Sequence, residues 1–186
     1  MFDMGYEIKT KLLTKGTKRR SGLLIEKVRF IVAHDTANPN STARNNVSYY
    51  ERTNNQSYAS AHIFVDDKEI IECIPSITSD KPEKAWQVRY ELVVDNILFG
   101  GNANDQAIGV ELCFGSKIDS REAYLRYVWV LAKLCKKYSL DPSRAIVGHS
   151  RLDPGRKIDP ENALLLSGKT FADLLIDVAV VISQNG

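Results

Sequence analysis

The chain has 186 residues, 44% of them hydrophobic and 26% charged, with a formal net charge of +2. That length suits one domain and that apolar content supports a core without disulfides, while the near-balanced charge argues against the strong basic field of a nucleic-acid binder. Cys73, Cys113 and Cys135 are an odd set with no CxxC pair, which speaks for synthesis in a reducing cytoplasm and against a disulfide scaffold.

Residues 1–18 mix Lys, Glu and Asp with short apolar pieces, so no signal peptide is expected there. No apolar run approaches the roughly eighteen residues that span a bilayer, so no membrane insertion is expected. Val28 to Ala33 is short, β-branched and apolar, and reads as a buried strand with His34 at its C-terminal end. Asn38 to Thr42 is turn chemistry with N-cap candidates, and Ala43 to Asn54 follows as a helix. Ser60 to Asp66 alternates, Asp66-Asp67-Lys68 turns, and Glu69 to Ile74 completes a hairpin.

From Pro75 to Gln106 the composition predicts a long, partly ordered surface excursion around Trp86, of the kind that carries recognition. Ala107 to Phe114 has the composition of a central strand, yet holds a charged Glu111 among apolar neighbours, and a buried carboxylate is costly unless paired, protonated or functional. Ser120 to Tyr138 is the clearest helix, ended by Asp141-Pro142; Ala145 to Gly148 is a short strand leading into His149; Lys169 to Ser183 is a final amphipathic helix. This order predicts an α/β fold, a mixed central β-sheet flanked by helices.

The densest chemistry lies in Gly148-His149-Ser-Arg-Leu-Asp153-Pro-Gly-Arg-Lys157-Ile-Asp159-Pro. A catalytic zinc takes three protein ligands and leaves a fourth position for water. His34, His149 and Asp159 fit that count, both histidines standing at predicted strand ends, with the Pro154-Gly155 turn able to fold Asp159 back. Asp153 competes as a ligand, and Asp35 points to the opposite face if the strand persists. The alternative is two separate hydrogen-bonded histidines with both aspartates capping turns before proline.

Four segments, Val-Ala-His34-Asp-Thr, Ser-Ala-His62-Ile-Phe-Val-Asp-Asp, Ala-Ile-Gly-Val-Glu111-Leu and the His149–Asp159 segment, resemble the N-acetylmuramoyl-L-alanine amidase type 2 family, over roughly residues 28–165. The family includes phage endolysins, autolysins, muropeptide-recycling amidases and peptidoglycan recognition proteins. The resemblance implies Zn2+ held by His34, His149 and Asp159, Glu111 as general base and Lys157 as a cation facing the developing oxyanion. His62 is then a supporting or substrate-contacting residue rather than a ligand, and Trp86 a candidate for stacking on substrate. Some relatives carry a catalytic tyrosine before the second histidine, where this chain has Ala61, which puts more weight on Glu111. Others show Trp-His where this chain has Trp86-Gln87, so substrate contacts there are not carried over.

The implied substrate is peptidoglycan, with no nucleic-acid partner and a monomeric state. The expected role is a phage or prophage endolysin, made in the cytoplasm and acting on the cell wall after release. A cytosolic recycling amidase and a non-catalytic peptidoglycan-binding module are the alternatives. Residues 1–27 read as an N-terminal extension and 28–186 as the catalytic domain, cut from a longer protein.

Overall fold

The computed structural model describes residues 5–184. In chain order the elements are β1 (Ile8–Thr10), β2 (Phe30–Asp35), α1 (Ala43–Arg52), β3 (Ile63–Val65), β4 (Ile70–Glu72), α2 (Val94–Phe99), α3 (Ala103–Gln106), β5 (Ala107–Leu112), α4 (Ser120–Tyr138), α5 (Pro142–Ala145), β6 (Ile146–Gly148), α6 (His149–Leu152), α7 (Glu161–Leu166) and α8 (Phe171–Gln184). The strands form one sheet in the order β1-β4-β3-β5-β2-β6, parallel at every junction except the β3–β4 hairpin. The fold is the mixed sheet flanked by helices that the element order predicts.

The two apolar strands, β2 and β5, lie side by side in the interior of the sheet, as strands covered on both faces must. Alternation splits β2 between two cores: Ile31 and Ala33 pack in the larger one with residues of α1, α4 and α8, whereas Phe30 and Val32 join Val88, Ala103 and Val147. Helix α4 is capped by the Asp119 carboxylate, which accepts from the backbone N–H groups of Arg121 and Glu122. It ends at Ser139 in the left-handed region, φ 54°. Asp141-Pro142 does not end α4; it opens α5, with Asp141 as cap and proline in its first turn. Among the described residues no helix is long and apolar enough to cross a membrane.

The segment after Pro75 departs from the expected surface excursion, because its middle is packed down. Phe99 stacks on Phe30 with ring centroids 4.0 Å apart, and the fully buried Asp95 accepts from Ala103 N–H at 2.7 Å. The segment thereby forms a layer over the face of the sheet that carries Phe30 and Val32. At the other edge, β1 pairs with β4, and a buried bidentate bridge from Arg20 to Glu83, at 2.8 and 2.9 Å, fastens the chain that follows it.

Candidate functional site

Register assembles the site. In the β2–β5 pairing His34 and Glu111 are partners, and in the β2–β6 pairing Ala33 faces Gly148, so His149 follows β6 beside His34. Partners on adjacent parallel strands share a face, which puts His34 and Glu111 on one side of the sheet. Asp35, one residue on, has its carboxylate turned to the backbone N–H groups of Ala37 and Ala163. Asp159 returns to the site because Ser150 N–H donates to its carbonyl at 2.9 Å. The intervening turn is closed by Arg156 and Lys157 N–H, both donating to Asp153 O. Asp153, the competing ligand candidate, is spent on that turn, its Oδ2 accepting from Arg156 Nε at 2.8 Å.

Asp159 Oδ2 lies 2.9 Å from His34 Nδ1 and 3.1 Å from His149 Nδ1, and all three side chains are buried. The two imidazoles meet edge to face with centroids 4.7 Å apart. Their potential ligand atoms lie within 4.8 Å of one another. Burial works against charging His34, but the Asp159 hydrogen bond and the Glu111 and Asp159 charges outweigh it and leave its pKa above the ordinary imidazole value. Burial, with His34 nearby, holds His149 below that value. Burial alone would raise Asp159; the hydrogen bonds from His149 and His34 pull its carboxyl well below the usual range.

The donor chemistry fits a metal. Gln87 Oε1 lies 3.2 Å from His34 Nε2, so that nitrogen carries a proton, and once the Nδ1 proton is lost the ring offers Nδ1 to a metal beside the Asp159 carboxylate. His149 Nε2 is buried without a hydrogen-bond partner among the described residues. Two imidazole nitrogens and a carboxylate oxygen converging in this way are able to hold a metal ion in place of the protons they share, and this donor set is one that binds zinc.

Glu111 supplies the second unusual group. Its Oε2 is sealed from solvent and has no hydrogen-bond partner among the described residues, and burial pushes its pKa to about 7, with Asp159 and Asp35 adding to the rise and His34 and Lys157 opposing it. Glu72, fully buried on β4 on the far side of β3, shows the contrast. Its Oε1 accepts from the N–H groups of Ser76, Ile77 and Thr78 and from the Ser76 hydroxyl, and its Oε2 from the Thr78 hydroxyl. One buried carboxylate is saturated and structural; the other is left open at the site.

A groove of about 650 Å³ runs from His149 past Lys157 and Arg156 to Tyr58, Trp86 and Tyr90. Tyr58 and Tyr90 are 60% and 51% exposed, so the groove opens at the surface. Trp86 meets Tyr58 edge to face and lies tilted against Tyr90. His62 stands behind the site rather than in it: fully buried, it accepts from Gly109 N–H at Nδ1 and donates from Nε2 to Glu83 O. No ring nitrogen is left for substrate. Sequence reasoning missed Tyr58, Tyr90 and Arg156 at this site, and it marked Gln87 only as the residue standing where some relatives have histidine, not as a partner of His34. Of the other three only Arg156 carried a signal, its spacing of three from Asp153.

The family model described as N-acetylmuramoyl-L-alanine amidase matches residues 25–162. The chain belongs to that family. It is 37% identical over 136 residues to the N-acetylmuramoyl-L-alanine amidase BlyA of Bacillus subtilis (strain 168), covering 70% of this chain and 36% of that protein. The chain thus spans about a third of the length of the curated relatives it matches. Among solved structures, PlyL superposes with a TM-score of 0.71 at 27% identity, covering 92% of this chain and 96% of the other. A mutant endolysin from Bacillus subtilis shares the fold, with a TM-score of 0.74 at 23% identity over 94% of this chain and 99% of the other.

Proposed function

We propose that residues 28–186 form a zinc-dependent N-acetylmuramoyl-L-alanine amidase domain, with residues 1–27 as an extension of it. The reaction is hydrolysis of the amide between the lactyl group of N-acetylmuramic acid and the L-alanine of the stem peptide in peptidoglycan. The observation that carries this reading is the convergence of His34, His149 and Asp159 beside Glu111, whose buried Oε2 is unpartnered. Zinc held by the three donors would supply a Lewis acid for the scissile carbonyl and acidify the attacking water.

Glu111, with its pKa raised to about 7, takes a proton from that water and returns it to the leaving amine of L-alanine. Lys157, half-buried beside His149 and without an ion pair among the described residues, holds its charge against the oxyanion that forms on the carbonyl. The aromatic side chains of Tyr58, Trp86 and Tyr90 offer flat surfaces to the sugar and peptide. The open groove suits a polymer, which supports a wall-lysing, endolysin-type role for a monomeric enzyme acting after release from the cell.

The test is digestion of purified cell walls and of soluble muropeptides, with products identified by mass spectrometry. The reading expects free L-alanine N-termini, uncut glycan strands and faster turnover of intact walls. New reducing ends without free L-alanine would reject the amidase; preference for small muropeptides would favour recycling.

A further inference from the structure

The amide of Gln87 is held in one orientation by two backbone carbonyls. Its Nε2 donates to Ala107 O at 3.0 Å and to Ala103 O at 3.2 Å. A flipped amide would place its oxygen against two carbonyl oxygens, so Oε1 is the atom that faces His34 Nε2 at 3.2 Å. The backbone beneath is pinned as firmly: buried Asn104 accepts from Gln87 N–H at 2.7 Å and Val88 N–H at 2.9 Å, and donates to Val88 O at 2.7 Å. Gly109, the β5 partner of Val32, leaves the space in which the amide sits. A β-carbon there would collide with Gln87 Oε1 and Cδ, whereas it would make only ordinary contact, 3.5 Å, with the His34 ring.

We infer that Gln87 is a positioning residue for the metal centre: it accepts from His34 Nε2–H, and so fixes the ring and leaves Nδ1 as the atom that faces Asp159. The inference rests on the metal reading above. It assigns work to a residue that touches neither the metal donors' carboxylate nor the scissile bond, and it explains why the strand carries glycine at position 109. A metal-ligating histidine whose other ring nitrogen is held by an acceptor keeps one tautomer and one orientation, and loss of such a partner weakens metal binding about 10–100-fold.

The test uses the full chain with zinc as the probe, titrated against a chromophoric chelator, together with long-range proton–nitrogen NMR of the histidines. Zinc-loaded wild-type protein is expected to show His34 with a protonated Nε2 and a metal-bound Nδ1. Gln87→Met is expected to bind zinc about 10–100-fold more weakly with its circular dichroism unchanged. Gly109→Ala, which displaces the same oxygen, should lose affinity in the same way, and the double variant should be no weaker than the weaker single one, since both act through one contact. Metal on Nε2 of His34, unchanged affinity in Gln87→Met, or additive losses in the double variant overturns the inference. The wild-type spectrum needs no variant, so it decides even where a substitution prevents folding. Wild-type protein that takes up no zinc overturns the metal reading itself, an outcome separate from wild type and Gln87→Met binding zinc equally well.

Discussion

Replacing Glu111 by glutamine should make the metal-free protein more stable while disabling it. Burial holds the Glu111 carboxyl at about 7 against an ordinary 4.5, so between those pH values the folded chain keeps a proton that the unfolded chain has released. Stability contributed by the neutral carboxyl is therefore complete below about pH 4.5 and is lost as pH rises through about 7. At about 1.36 kcal/mol per pH unit, the interval from 4.5 to 7 corresponds to about 3 kcal/mol. Glutamine keeps the shape without the charge and carries no such loss. Urea unfolding of chelated protein should find Glu111→Gln and wild type alike near pH 4.5 and separated by about 3 kcal/mol, in favour of the variant, at pH 8. Amidase turnover of the zinc-loaded variant should fall by about 10²–10⁴. A variant as stable as wild type, or less stable, at pH 8 would refute the claim that this carboxylate is held at an energetic cost.

His62 runs the opposite way with pH. Burial lowers its pKa from 6.5 to about 4, so the stability of the neutral ring is complete above about pH 6.5 and is lost as pH falls towards 4, about 3 kcal/mol in all. Measured by urea unfolding, the advantage of wild type over His62→Gln should shrink by that amount between pH 7 and pH 4; a constant advantage would contradict it. Lys157→Met should lower kcat by about 10²–10³ with zinc affinity unchanged, whereas a kcat like that of wild type would make Lys157 an ordinary surface cation. Trp86→Ala should raise KM about tenfold, equivalent to about 1.4 kcal/mol of lost aromatic contact, with kcat retained; an unchanged KM would remove Trp86 from the groove's binding surface.

The residues that break a local rule were the legible ones. Glu111 stands out as a charge inside an apolar run, and its strand neighbours left little choice about which element it occupied. His34 and His149 stand beside β-branched runs that composition marks as strands, and the parallel pairing seen in the structure brings them together. Strand β1 carried no such mark, because Ile-Lys-Thr becomes a strand through its pairing with β4 at the sheet edge. The segment 75–106 misled because its polar residues resemble those of a solvated loop, while Asp95 and Asn104 turn theirs inward to hold backbone groups. Gln87 is the sharpest case. The resemblance marked it only as a departure from Trp-His; a glutamine in a loop has no periodicity or charge that points to a partner, and its contact with His34 depends on a glycine on a strand more than twenty residues away.

The central claim is that His34, His149 and Asp159 hold the metal with which Glu111 works, and the most direct measurement is cell-wall turbidity with zinc-stripped protein. Stripped wild type should leave walls intact and recover when stoichiometric zinc is returned, while His149→Ala and Asp159→Ala should remain inactive in the same zinc. Clearing of walls by stripped protein at the wild-type rate would contradict the account.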